Sequence, residues 1–132
     1  MKIFVDFQFV EIGQVKIDLG KLSFPTAPEE PGIYKFLIRD DIYVGETDRL
    51  RRRFQHYRTP GPSQTTNIRL NKSMMNSLSE GFDIIVSTVQ EAVIFVDGVE
   101  SGLDLSLKSS RLLVESAVLT AARLEGQGIE NI

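Results

Sequence analysis

Tyr34, Tyr43, Arg53 and Tyr57 bring phenol hydroxyls and a guanidinium into one stretch, GIYKFLIRDDIYVGETDRLRRRFQHY, which runs from Gly32 to Tyr57. Those groups suit phosphate chemistry. Arginine stays charged and grips phosphate oxygens bidentately, and a tyrosine hydroxyl can orient a water or take its proton. A lone carboxylate completes the set. Glu115 sits in the apolar run Leu112-Leu113-Val114-Glu115-Ser116-Ala117-Val118-Leu119, and on a helix it shares a face with Leu112 and Leu119, toward the core side. An unpaired carboxylate there is costly. A divalent cation with its waters would satisfy it, since magnesium accepts one or two carboxylates together with substrate phosphate. The alternative is an ion pair with an arginine such as Arg53.

The elements that must position these groups follow from local patterns. Ile33 to Ile38 and Ile42 to Gly45 are β-branched and aromatic, with only Arg39-Asp40-Asp41 between them, which predicts a β-hairpin with its two tyrosines near one sheet end. Thr47 or Asp48 then caps a helix whose Leu50, Phe54 and Tyr57 form one face, with Arg53 beside it and Arg49, Arg51 and Arg52 spread around the rest. Thr59-Pro60-Gly61-Pro62-Ser63 breaks that helix, and a second runs from about Thr66 to Leu78, stopped by Gly81. Phe82–Val89 and Val93–Val96 read as strands, with a turn at Asp97-Gly98. Gly102 to Lys108 reads as a loop, and Ser109 or Ser110 caps a long helix to about Leu124 before Gly126.

Taken together these residues resemble the GIY-YIG nucleases, which include excision-repair, homing and restriction endonucleases. Gly32-Ile33-Tyr34 is similar to the first signature triplet and Tyr43-Val44-Gly45 to the second. The family's helical arginine, ten positions after the second tyrosine, falls on Arg53, and the tyrosine or histidine that follows it falls on Tyr57. Glu115 resembles the metal-binding glutamate of a later helix, and Asn131 the closing asparagine. The resemblance covers Pro31 to Asn131. It departs at Glu46, where some repair members carry lysine, and in Gln90–Ser106, which is longer than the minimal domain needs.

The resemblance implies an α+β fold, a GIY-YIG-like layered domain with a small, mainly antiparallel sheet flanked by helices. It implies a metal-dependent DNA endonuclease that hydrolyses phosphodiester bonds with Mg2+, or Mn2+ in its place, bound at Glu115. Tyr34, Tyr43, Arg53, Tyr57 and Glu115 would be the catalytic set, with Tyr43 or Tyr34 aligning the attacking water. The competing reading is a non-catalytic domain of the same fold that binds nucleic acid or protein. Because no separate DNA-binding module is recognisable, a second copy of the chain, a targeting partner protein or structured DNA is expected.

Composition sets the outer limits. The 132 residues, 42% hydrophobic and 25% charged, fit one compact domain, here divided into residues 1–30, an N-terminal hairpin extension and connector, and 31–132, the nuclease-like part. The hairpin is expected from alternation in Lys2–Val10 and again in Gln14–Leu19, around Gly13. The absence of cysteine removes disulfides, thiolate zinc sites and cysteine nucleophiles and agrees with a cytoplasmic setting, and one histidine, His56, rules out a histidine metal cluster. No run is long and apolar enough for a membrane span.

A net charge of −3 argues against a nucleic-acid binder, but its distribution argues for one. From Arg49 to Lys72 the chain carries seven cations and no acid. Arg49, Arg52, Arg58, Asn67, Arg69 and Asn71 are therefore the candidates for contacting DNA backbone, with solvation or helix capping as their alternative role. His56 is expected to be exposed.

Overall fold

The computed structural model describes residues 1–130, so Asn131 lies outside the described residues. The chain is α+β, with nine strands and three helices among those residues. Its centre is the expected hairpin: β4 (Gly32–Ile38) and β5 (Asp41–Thr47) pair antiparallel, with Phe36 opposite Tyr43 and Tyr34 opposite Gly45. Arg39 takes φ 56° in the two-residue turn between them. β6 (Ile84–Val89) pairs with the other edge of β4, and its nearly continuous burial marks a strand covered on both faces.

Residues 1–30 do not form the expected hairpin. β1 (Ile3–Asp6) pairs with β7 (Val93–Val96), not with the strand that follows it, and β2 (Val10–Asp18) runs straight through Gly13 and pairs with β6. Gly13, at φ 145°, sits in a bulge between Glu11 and the rest of the ladder, so it bends the strand where a reversal was expected. The reversal comes at Leu19-Gly20, and β3 (Lys21–Ser23) returns along β2. The N-terminal segment is thus divided between two sheets, with β2 and β3 built into the main one.

Six strands make that sheet, in the order β3-β2-β6-β4-β5-β9, with the short β9 (Gly128–Ile129) running parallel to β5 and every other pair antiparallel. The long segment after Gln90 has its own architecture. β7, β8 (Val99–Gly102) and β1 form a separate three-stranded sheet, with the Asp97-Gly98 turn where expected and Gly102 closing β8.

Period-two alternation in β4 divides the core. Tyr34, Phe36 and Ile38 join a cluster with Leu50, Phe54 and Tyr57 of α1 (Leu50–Arg58) and Leu70 and Met74 of α2 (Thr65–Ser79). Ile33 points the other way, with Val89, Leu105 and Val114 of α3 (Lys108–Leu124). Helices therefore cover both faces of the sheet.

The helix starts differ from expectation. Neither Thr47 nor Asp48 is the N-cap of α1, which is Arg49; instead Thr47 Oγ1 accepts the Arg49 N–H at 3.1 Å and tightens the turn before the helix. Leu107 precedes α3, and Ser109 and Ser110 lie inside its first turn. Among the described residues no helix is long and apolar enough to cross a membrane.

Candidate active site

Gly45 explains why a bare backbone follows the second tyrosine. Tyr34 lies directly across the ladder from it, and a Cβ at residue 45 would overlap the Tyr34 ring and its hydroxyl. A Cβ at Gly32 would come 2.8 Å from the Val89 carbonyl and 3.0 Å from Leu50. The glycines of both triplets are therefore steric requirements, one of the packed Tyr34 ring and one of the close approach of β6 and α1. Gly45→Ala is expected to lower stability by about 2–3 kcal/mol in urea titration, because Tyr34 must leave a filled core to admit the methyl. An unchanged unfolding midpoint would disprove that account.

Freed to lie flat, Tyr34 reaches the next element. Its hydroxyl meets that of Tyr57 at 2.6 Å, and the two side chains are 2% and 1% exposed. Tyr43 stacks along Phe36 and stands edge-on to Tyr57, with ring centroids 6.2 and 6.4 Å apart, and it is only partly buried. Burial, with Tyr43 adding to it, pushes the Tyr34 phenol well above its ordinary range, and burial does the same to Tyr57. Both hold their protons at neutral pH. Tyr43 is the one of the three that is only partly buried.

The Arg53 guanidinium lies within electrostatic reach of all three. Burial disfavours its charge, but the oxygens of Tyr34, Tyr57 and Tyr43 and the Glu46 carboxylate outweigh that and hold its pKa above the usual arginine value. On its other side Arg53 helps to line an open cleft of about 380 Å³ between α1 and the start of α2, shared with Thr47, Arg52, His56 and Asn67. Among the described residues no carboxylate lines the cleft. Its polar, cationic lining suits an anionic group.

Glu115 comes from α3 on the opposite face and is partly buried. It has no ion-pair partner among the described residues; the pairs there are Arg39–Glu80, Arg52–Asp48 and Arg111–Glu46. Burial raises its pKa and repulsion from Glu46 raises it further, while its own charge is felt by Tyr34. The carboxylate thus shares an electrostatic neighbourhood with the phenols.

The anchor of this region is Arg111, which sequence reasoning missed. Its Nε donates to Glu46 Oε2 at 2.6 Å and its Nη1 to the carbonyls of Leu105 and Ser106 at 3.0 Å each, with side chains 7% and 16% exposed in the ion pair. Glu46, first met as a departure from the signature, is spent on that contact. An arginine one helical turn before Glu115 on an apolar helix was the available signal.

The nucleic-acid candidates divide. Arg49, Arg58 and Arg69 are exposed, and Arg52 lines the cleft while pairing with Asp48 at 2.8 Å. Arg58 borders a different hollow, with Phe24 and Arg51. Asn67 is buried and donates to Gln64 at 3.1 Å, and Asn71 donates to the Tyr57 carbonyl at 2.7 Å, tying α2 to the end of α1. Asn71 thus takes the capping role at the end of α1, while the buried Asn67 amide is held by the Gln64 side chain. Comparison of the chain with protein-family models, curated proteins and solved structures gives no match.

Proposed function

We propose that this chain is a metal-dependent DNA endonuclease of GIY-YIG type, and that residues 31–130 form the layered domain of that family. The observation that carries the reading is the meeting of Tyr34, Tyr43 and Tyr57 around Arg53, from two strands and a helix, beside a cationic cleft.

A phosphate in the cleft would lie against the Arg53 guanidinium, which is partly shielded from water, so its charge acts strongly on the nonbridging oxygens. Tyr43, the partly buried phenol of the three, orients the attacking water and relays its proton in concert with bond formation, accepting from the water as its own hydroxyl proton passes to a nonbridging phosphate oxygen or to solvent. Tyr34 and Tyr57 keep their protons and fix that ring from below. Arg49, Arg52, Arg58 and Arg69 supply a phosphate-attracting surface whose affinity falls with salt and carries little sequence information.

The residues present fit a magnesium-type ion. Glu115 offers a hard oxygen donor without a protein cation, and no group of three or more metal-ligating side chains occurs among the described residues, which matches an ion that relies on substrate phosphate and water. When bound, Mg2+ or Mn2+ would act as a Lewis acid on the phosphate and steady the leaving oxygen. Its ligand from this chain would be Glu115.

Nicking of supercoiled plasmid with and without Mg2+ tests the reading. Magnesium-dependent nicking is expected, falling roughly 10²-fold or more in Arg53→Ala. No cleavage of supercoiled, branched or single-stranded DNA at high protein concentration would overturn it and leave a binding domain.

A further inference from the structure

The three-stranded sheet has an open edge at β1, and we propose that this edge joins two copies of the chain, β1 against β1, antiparallel about a two-fold axis at Phe4. Among the described residues of the protomer β1 pairs only with β7. Asp97 N–H donates to the Lys2 carbonyl at 2.8 Å, and Lys2 N–H donates to Asp97 Oδ1 at 2.7 Å, so Lys2 turns its backbone groups toward β7. Direction alternates along an antiparallel strand, so Phe4 and Asp6 also face β7 while the N–H and C=O groups of Ile3 and Val5 point outward. Such a row is a template for another strand.

The side chains fix which strand fits. Ile3 and Phe4 are 50% and 51% exposed, and Phe4 stacks on Phe95 with ring centroids 4.4 Å apart, an aromatic row that ends at the open edge. Outward groups meet outward groups when the axis passes through Ile3, Phe4 or Val5. Centring on Ile3 sets Phe4 against Lys2 of the second copy, and centring on Val5 sets it against Asp6. Centring on Phe4 sets Phe4 against Phe4, Ile3 against Val5, and Lys2 against Asp6 at both ends. That register alone matches apolar with apolar and cation with anion. Neither Lys2 nor Asp6 has an ion-pair partner within the protomer among the described residues. The opposite edge lacks this complementarity, since β8 and the loop after it carry Glu100 and Asp104 and no cation.

A four-residue strand makes a small interface, so dissociation on the order of 10–100 µM is expected. The inference is independent of the hydrolytic reading, and sedimentation of the full chain reads it without an activity assay. Wild-type protein should move from monomer to dimer across that concentration range. Lys2→Glu and Asp6→Lys should each weaken association about tenfold, and the double variant should restore it. Val5→Pro should abolish association while circular dichroism stays unchanged, because the N–H it removes points away from β7. A wild-type monomer at roughly 1 mM overturns the proposal, leaving the edge to solvent or to a different protein. So does a dimer indifferent to Val5→Pro, or a double variant no tighter than the singles.

Discussion

Glu115→Gln is expected to remove magnesium-dependent DNA cleavage, by about 10³-fold or more, while the protein still binds DNA and becomes slightly more heat-stable. The two halves of that expectation have one cause. Burial and the neighbouring Glu46 raise the Glu115 pKa, so the folded chain holds this proton more tightly than the unfolded chain does. Stability from the protonated form is present below the unfolded carboxylate pKa and is lost as pH rises through the folded value. At neutral pH the charge is therefore a cost, and the neutral amide removes it together with the metal ligand. Because the side chain is partly open to solvent, screening limits the gain to roughly 1–2 °C. Cleavage within tenfold of wild type would disprove the metal role; a fall of several degrees in Tm would show that the carboxylate serves structure.

The second large effect falls on stability. Arg111→Ala is expected to cost about 3–5 kcal/mol in urea unfolding, because it leaves the Glu46 carboxylate in a mostly buried position with no counter-charge. The carbonyls of Leu105 and Ser106 lose their donor at the same time, which loosens the loop leading into α3. Adding Glu46→Gln to Arg111→Ala should recover a substantial part of the loss, and the double-mutant cycle gives the coupling directly. Additive single effects would mean that the pair is incidental. Since Arg111 lies one turn before Glu115, the same variant is also expected to shift the carboxylate and lower cleavage.

Much of this architecture was legible in short windows of sequence. The β4–β5 hairpin was given by two β-branched runs and a polar reversal, and α2 and α3 by their apolar stripes and the glycines beyond their ends. The phenols and Arg53 converge because Tyr34, Gly45 and α1 follow one another closely along the chain. The N-terminus misled. Alternation in Lys2–Val10 marks strands without naming their partners, and β1 finds β7, far along the chain, while Gly13 bends a strand that it was expected to end. The Glu46–Arg111 pair, 65 residues apart, left only a faint trace.

The sequence by itself determined the chemical inventory and the local geometry: three phenols, one central guanidinium, a carboxylate on an apolar helix, and bare backbone where the Tyr34 ring must lie. Periodicities of about 2 and 3.6 residues write such features into neighbouring positions, where they can be read. Tertiary structure alone decided that Tyr34 and Tyr57 are sealed while Tyr43 is only partly buried, that Arg111 takes Glu46 and leaves Glu115 without an ion-pair partner among the described residues, and that β1 lies at the edge of its sheet. Those outcomes depend on which distant groups compete for the same contact, a competition resolved only when the two faces of the sheet are covered.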